Sequence, residues 1–82
     1  MFRYFYTIGV RDIDNYKDRM RKEYADLKWR MASLRTMLDK YAAGALDFAP
    51  HCSYELLLSQ YMVMQQYATI LEQRAIIEGV EL

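Results

Sequence analysis

The chain has one cysteine, Cys52, one proline, Pro50, and three glycines in 82 residues. A lone thiol forms no intrachain disulfide, so no disulfide framework holds the fold, and a reduced, cytosolic setting is expected. Gly44 and Pro50 fall in one stretch, AAGALDFAPHCS, which reads as the single linker. No apolar run approaches the roughly 18 residues that a bilayer span needs. Arg3, Tyr4 and Tyr6 interrupt any secretory signal in the opening residues. Motifs for chemistry are missing too: there is no Gly-rich phosphate loop, HExxH, paired CxxC or nucleophile elbow. His51 and Cys52 are adjacent loop residues whose side chains point apart, and no third ligand or orienting acid accompanies them. Catalysis, a cofactor and a metal are therefore not expected.

Net charge is also absent, with eleven bases against eleven acids. The balance is uneven along the chain. Residues 1–40 carry ten Lys/Arg and six Asp/Glu, or +4; residues 41–82 carry Arg74 alone against five acids, or −4. Such a split suits contact between the halves or between protomers. It is not the broad basic field of a DNA-binding domain, so no DNA partner is expected.

Apolar material is plentiful. The chain is 54% hydrophobic, with eight Tyr, six Met, three Phe and one Trp. A single domain of this size buries only part of its surface. Without disulfides or metal, the remaining remedy is a core shared between subunits, so a homo-oligomer is expected.

Two helices account for most of the sequence. Ile13, Tyr16, Met20, Tyr24, Leu27, Met31, Leu34, Leu38 and Tyr41 recur at intervals of three and four. That periodicity predicts an amphipathic helix over about residues 12–43, with Asp12 as its N-cap and a stop near Ala43 and Gly44. Asp18 with Lys22, and Asp26 with Arg30, are expected as exposed ion pairs one turn apart. Leu46 and Phe48 are expected to fold back over the end of the helix pair.

A second helix is predicted over about 53–78, started by Ser53 or Cys52 and ended by Gly79 with Val80 packing back. Its apolar residues form two seams. Leu57, Tyr61, Met64, Ala68, Leu71 and Ala75 suit the first helix. Leu56, Val63, Tyr67, Ile70 and Ile77 need another partner, most simply a second copy. Before the helices, MFRYFYTIGV reads as an aromatic strand over about residues 2–9. Phe2, Tyr4, Phe5, Tyr6 and Ile8 are then candidate interface residues, paired with another copy or with the C-terminal GVEL. The fold class is thus mainly α, a single domain forming an antiparallel helical hairpin with a short N-terminal strand.

Arg21, Lys28 and Arg35 recur every seven residues on the first helix, with Lys17 nearby. They suit phosphate groups or an acidic partner, or else form a solvated face. Trp29 lies between Lys28 and Arg30, off the apolar seam; it can stack a base, or pack on the strand or a neighbouring protomer. Arg74 interrupts an apolar seam of the second helix and either pairs with an acid or anchors an anion. Candidate ligand residues are therefore Arg21, Lys28, Trp29, Arg35 and Arg74.

The segments DNYKDRMRKEYADLKWRMASLRTMLDK and SYELLLSQYMVMQQYATILEQRAIIEG together resemble a family of small uncharacterised phage proteins, a helical-hairpin family of crAss-like and many tailed bacteriophages. The matching residues are Tyr16, Arg19, Glu23 and Leu27, then Leu57, Leu58, Gln60 or Gln65, Met64, Tyr67, Leu71 and Arg74. The resemblance covers about residues 14–79 and leaves the aromatic start outside. It implies a phage accessory product in the host cytoplasm. Small non-enzymatic products of this kind counter host defence, some by sequestering cyclic nucleotides or related immune signals, as in CBASS, between protomers. The expected function is sequestration of a small anionic, nucleotide-derived signal by a homo-oligomer. The alternatives are an inhibitor or adaptor that docks on a host defence protein, and a structural oligomerisation factor.

Overall fold

The computed structural model describes residues 10–82, with side chains from residue 15 onward. The strand expected over 2–9, with Phe2, Tyr4, Phe5, Tyr6 and Ile8, lies outside the described residues. Within them there are two helices and no strand: α1, Val10–Ala42, and α2, Tyr54–Glu78. They pack antiparallel.

α1 starts two residues earlier than its expected cap. Asp12 is inside the first turn rather than at the N-cap, where the positive end of the helix still favours an acid. Its end is set by Gly44 at φ 69°. There the Gly44 N–H donates to the Tyr41 carbonyl at 3.1 Å and the Ala45 N–H to the Lys40 carbonyl at 2.8 Å. This Schellman arrangement needs a left-handed residue, which glycine adopts without a Cβ penalty.

α2 is capped at both ends as its sequence predicts. Ser53 Oγ accepts from the Leu56 N–H at 3.1 Å. Gly79 closes the other end at φ 70°, with the Val80 N–H donating to the Ala75 carbonyl at 2.8 Å. The turn points Val80 back into the protein, where it is buried with Met20 and Ala75 against Tyr16. A second cluster joins Leu27, Met31, Ala68 and Leu71, flanked by Tyr24, Tyr61 and Met64. Leu71 is 0% exposed. Burying such a side chain contributes about 1.5–3 kcal/mol.

At the loop end, the Tyr41 and Tyr54 rings meet edge to face, with centroids 5.6 Å apart. The Tyr41 hydroxyl donates to the Cys52 carbonyl at 3.3 Å. Leu46 is half-buried, but Phe48 is 56% exposed and does not plug the hairpin. The T-shaped tyrosine pair and Leu38 already fill that end.

Candidate functional site

The two edges of the hairpin differ. On one edge, polar bonds cross from α1 to the second half of the chain. The Tyr24 hydroxyl donates to Glu72 Oε2 at 2.6 Å, and Arg21 Nε donates to the Glu81 carbonyl at 3.0 Å. Arg35 sits over the Tyr61 ring, 5.9 Å from its centroid. The hydrogen bond to Glu72 raises the Tyr24 pKa, with desolvation adding to it, because the neutral phenol is the donor. A hydrogen bond to Tyr61, then one to Asp39, holds the Arg35 guanidinium above its ordinary value.

The other edge is open. A groove of about 780 Å³ runs along it between the helices. Arg19, Lys22, Glu23, Asp26 and Arg30 form its α1 wall; Gln60 and Tyr67 stand on the α2 side; Leu27, Leu34 and Met64 form its floor. The volume falls within the roughly 300–1,000 Å³ typical of small-molecule sites. The spacing 19, 23, 26, 30 follows one flank of the α1 seam, which explains why these residues share an edge.

Three cations face two carboxylates in the groove. Lys22 Nζ holds Asp26 at 3.3 Å. Among the described residues, none forms an ion pair or hydrogen bond with Arg30, so its fork of donors is available. Charged donors for phosphate oxygens, carboxylate acceptors for hydroxyl or amino groups, and the Tyr67 ring for stacking are thus collected within one groove. Among the described residues, no group of three or more His, Cys, Asp or Glu side chains comes together as a metal site.

None of Arg21, Lys28, Trp29, Arg35 and Arg74 lines this groove. Arg21 is tied to Asp18 at 2.7 Å and Arg35 to Asp39 at 3.2 Å. Lys28 lies over the Tyr24 ring, 5.8 Å from its centroid. Trp29 is 71% exposed on the back of α1. Arg74 is exposed beside Tyr16 and Glu78; the bond to Glu78, chiefly, pushes the Tyr16 phenol up, and Arg74 opposes that rise. The expected pairs of Asp18 with Lys22 and Asp26 with Arg30 do not form. Asp18 takes Arg21 instead, whose Nε also donates to the Glu81 carbonyl, and Lys22 turns to Asp26. The regular spacing of seven belongs to Arg21, Lys28 and Arg35 on the opposite flank; Arg19, Lys22 and Arg30 share no such period. Their signal was the alternation of bases and acids beside the seam.

A family model described as Sequestin matches residues 14–77. The chain belongs to the Sequestin family. Neither a curated protein nor a solved structure matches it. The Sequestin segment contains both groove walls, from Arg19 to Tyr67, and the α2 seams up to Ile77. It stops short of Val80, which locks the end of the hairpin, and leaves residues 1–13 outside.

The apolar face of α2 completes the picture. Leu56, Val63, Tyr67, Ile70 and Ile77 are 61%, 62%, 40%, 53% and 82% exposed. The first helix covers the other seam, with Ala68, Leu71 and Ala75 buried and Tyr61 and Met64 packed beside them. The second seam stays bare beside the open groove, with Tyr67 common to both.

Proposed function

We propose that this Sequestin-family protein binds and sequesters a small anionic, nucleotide-derived signal in the open groove, without chemically altering it. One observation carries the reading: a ligand-sized groove combines Arg19, Lys22 and Arg30 with Tyr67 and Gln60 in a family whose name denotes sequestration. The guanidiniums hold phosphate oxygens, and Glu23 or Asp26 accepts from ribose hydroxyls or a base amino group. Tyr67 offers its ring to a base. A bare phosphate would gain nothing from the acids, so a whole nucleotide fits the wall better.

In this reading the protein is a phage accessory product acting in the host cytoplasm as a homo-oligomer against signal-based defence. Arg74 and Trp29 remain candidate contacts where copies meet. Calorimetry against cyclic di- and trinucleotides and ADP-ribose derivatives tests it. Binding of one class, with the ligand released unchanged on heating, is the expected result. No binding across the panel overturns it.

The bare α2 face favours a second reading, a docking inhibitor of a host defence protein. Stoichiometric capture of one purified host protein, with no nucleotide binding, would select that reading.

A further inference from the structure

The edge opposite the groove holds a second pocket, of about 300 Å³, near the loop. It shares no lining residue with the groove. Tyr54, Leu58, Tyr61 and Gln65 line it at intervals of four, three and four, along one flank of α2. Arg35, Leu38 and Asp39 face them from α1, and the buried Leu38 is the floor. The Tyr54 ring is braced by the Tyr41 ring, edge to face at 5.6 Å, and the Tyr41 hydroxyl is tied in turn to the Cys52 carbonyl. The Tyr61 ring lies under the Arg35 guanidinium. Met62 borders the pocket with an exposed, unbranched side chain that adapts to an occupant.

Arg35 and Asp39 are the charged residues of this pocket, one of each sign. Arg35 Nε donates to Asp39 Oδ1 at 3.2 Å. That bond uses one of the five guanidinium N–H groups, and Asp39 Oδ2 accepts from no described residue. The pocket therefore presents donors and an acceptor side by side, with no net charge. The groove differs, with three cations against two carboxylates. In the pocket a simple anion gains from Arg35 and is opposed by Asp39; a simple cation meets the reverse. A zwitterion satisfies both. In an α-amino acid the carboxylate and the ammonium hang from one carbon, which suits an ion pair whose nearest atoms are 3.2 Å apart.

We propose that this pocket binds a free aromatic α-amino acid. The carboxylate takes the Arg35 Nη donors, and the ammonium donates to Asp39 Oδ2. The ring lies on Leu38 and Leu58, between the Tyr54 and Tyr61 rings. The volume, less than half that of the groove, is at the lower end of the range for small-molecule sites and suits one ring rather than a dinucleotide. The pocket and the groove have separate residues and separate charge balance, so this proposal and nucleotide sequestration can fail independently.

Titration of the isotope-labelled chain with L-phenylalanine, followed by amide shifts, tests the proposal. The ion pair is largely solvated, so the dissociation constant should be about millimolar. Shifts should centre on Arg35, Asp39, Leu58 and Gln65 and leave Gln60 and Tyr67 of the groove in place. Phenylpropionate and phenethylamine each lack one of the two charges and should bind about fivefold more weakly, or worse. Arg35→Gln and Asp39→Asn, both at exposed positions, should each weaken L-phenylalanine by a similar factor with unchanged far-ultraviolet dichroism. Arg30→Ala, in the groove, should not. Absence of shifts at about 10 mM L-phenylalanine overturns the proposal. Shifts confined to the groove overturn it as well. Phenylpropionate binding as tightly as L-phenylalanine overturns the zwitterion and makes the pocket an anion site.

Discussion

Tyr24 and Glu72 join the two helices through a 2.6 Å hydrogen bond across 48 residues of sequence, on the edge opposite the groove. Tyr24→Phe and Glu72→Gln should each destabilise the hairpin by about 0.5 kcal/mol, since the pair is largely solvated. A double-mutant cycle by urea titration should give a coupling of similar size. Additive effects would show that the bond contributes nothing.

The same bond predicts an alkaline response. Tyr24 and Tyr16 are both raised above 10.0 in the folded chain, by hydrogen bonds to Glu72 and Glu78 first. A raised folded value means that the folded state holds its proton more tightly than the unfolded one. Their contribution is therefore full below pH 10 and is lost as pH rises through the folded values. Midpoints of thermal melts should fall above pH 10, and less steeply in a Tyr16→Phe/Tyr24→Phe variant. Equal slopes would discount the tyrosines.

Leu71→Ala removes the most buried side chain described. The expected cost is about 2–5 kcal/mol, because two helices can only partly close around the cavity. Ile76→Ala, at a site 80% exposed, should change little. Comparable losses in the two variants would mean that Ile76 is covered in solution.

Gly79→Ala meets no atom within 4 Å of the new Cβ, so its cost is conformational alone. A left-handed alanine should cost about 1–2 kcal/mol, and asparagine less. Thermal melts of the two variants measure the order; a stabilising alanine would show that the C-cap had rearranged.

Arg30→Ala and Tyr67→Ala should weaken nucleotide binding, by about tenfold to a hundredfold for the charged contact. Arg35→Ala, on the opposite edge, should leave binding near the native level. Calorimetry at two salt concentrations checks both points, since the native affinity should fall with salt and the Arg30 variant should fall less. Loss with Arg35→Ala alone would move the site to the other edge.

The helices were legible because their signals are local. The three-and-four spacing from Tyr16 to Tyr41 marks the face that Met20, Leu27, Met31 and Leu38 bury. Ser53, Gly44 and Gly79 end helices for reasons contained in a few residues. The groove was not legible in that way. Arg19 and Arg21 are two residues apart and lie on opposite edges, and nothing local says which edge closes. That is decided by Tyr24, Tyr61, Glu72 and Glu81, which lie far apart in sequence. The role of Phe48 also depended on space already taken by Tyr41 and Tyr54.

The short connection at Tyr41 and Tyr54 also sets the order in which the hairpin comes apart. Near the loop, closing the chain costs little entropy, and each further layer of contacts extends an existing register. At the far end, Val80 against Met20 and Tyr16 is the last layer among the described residues, held by a single glycine turn. Amide exchange should therefore be slowest around Leu27 to Leu38 and Leu57 to Leu71, and fastest beyond Ala75. The hairpin should fray like a clasp, from the Val80 end toward its bend.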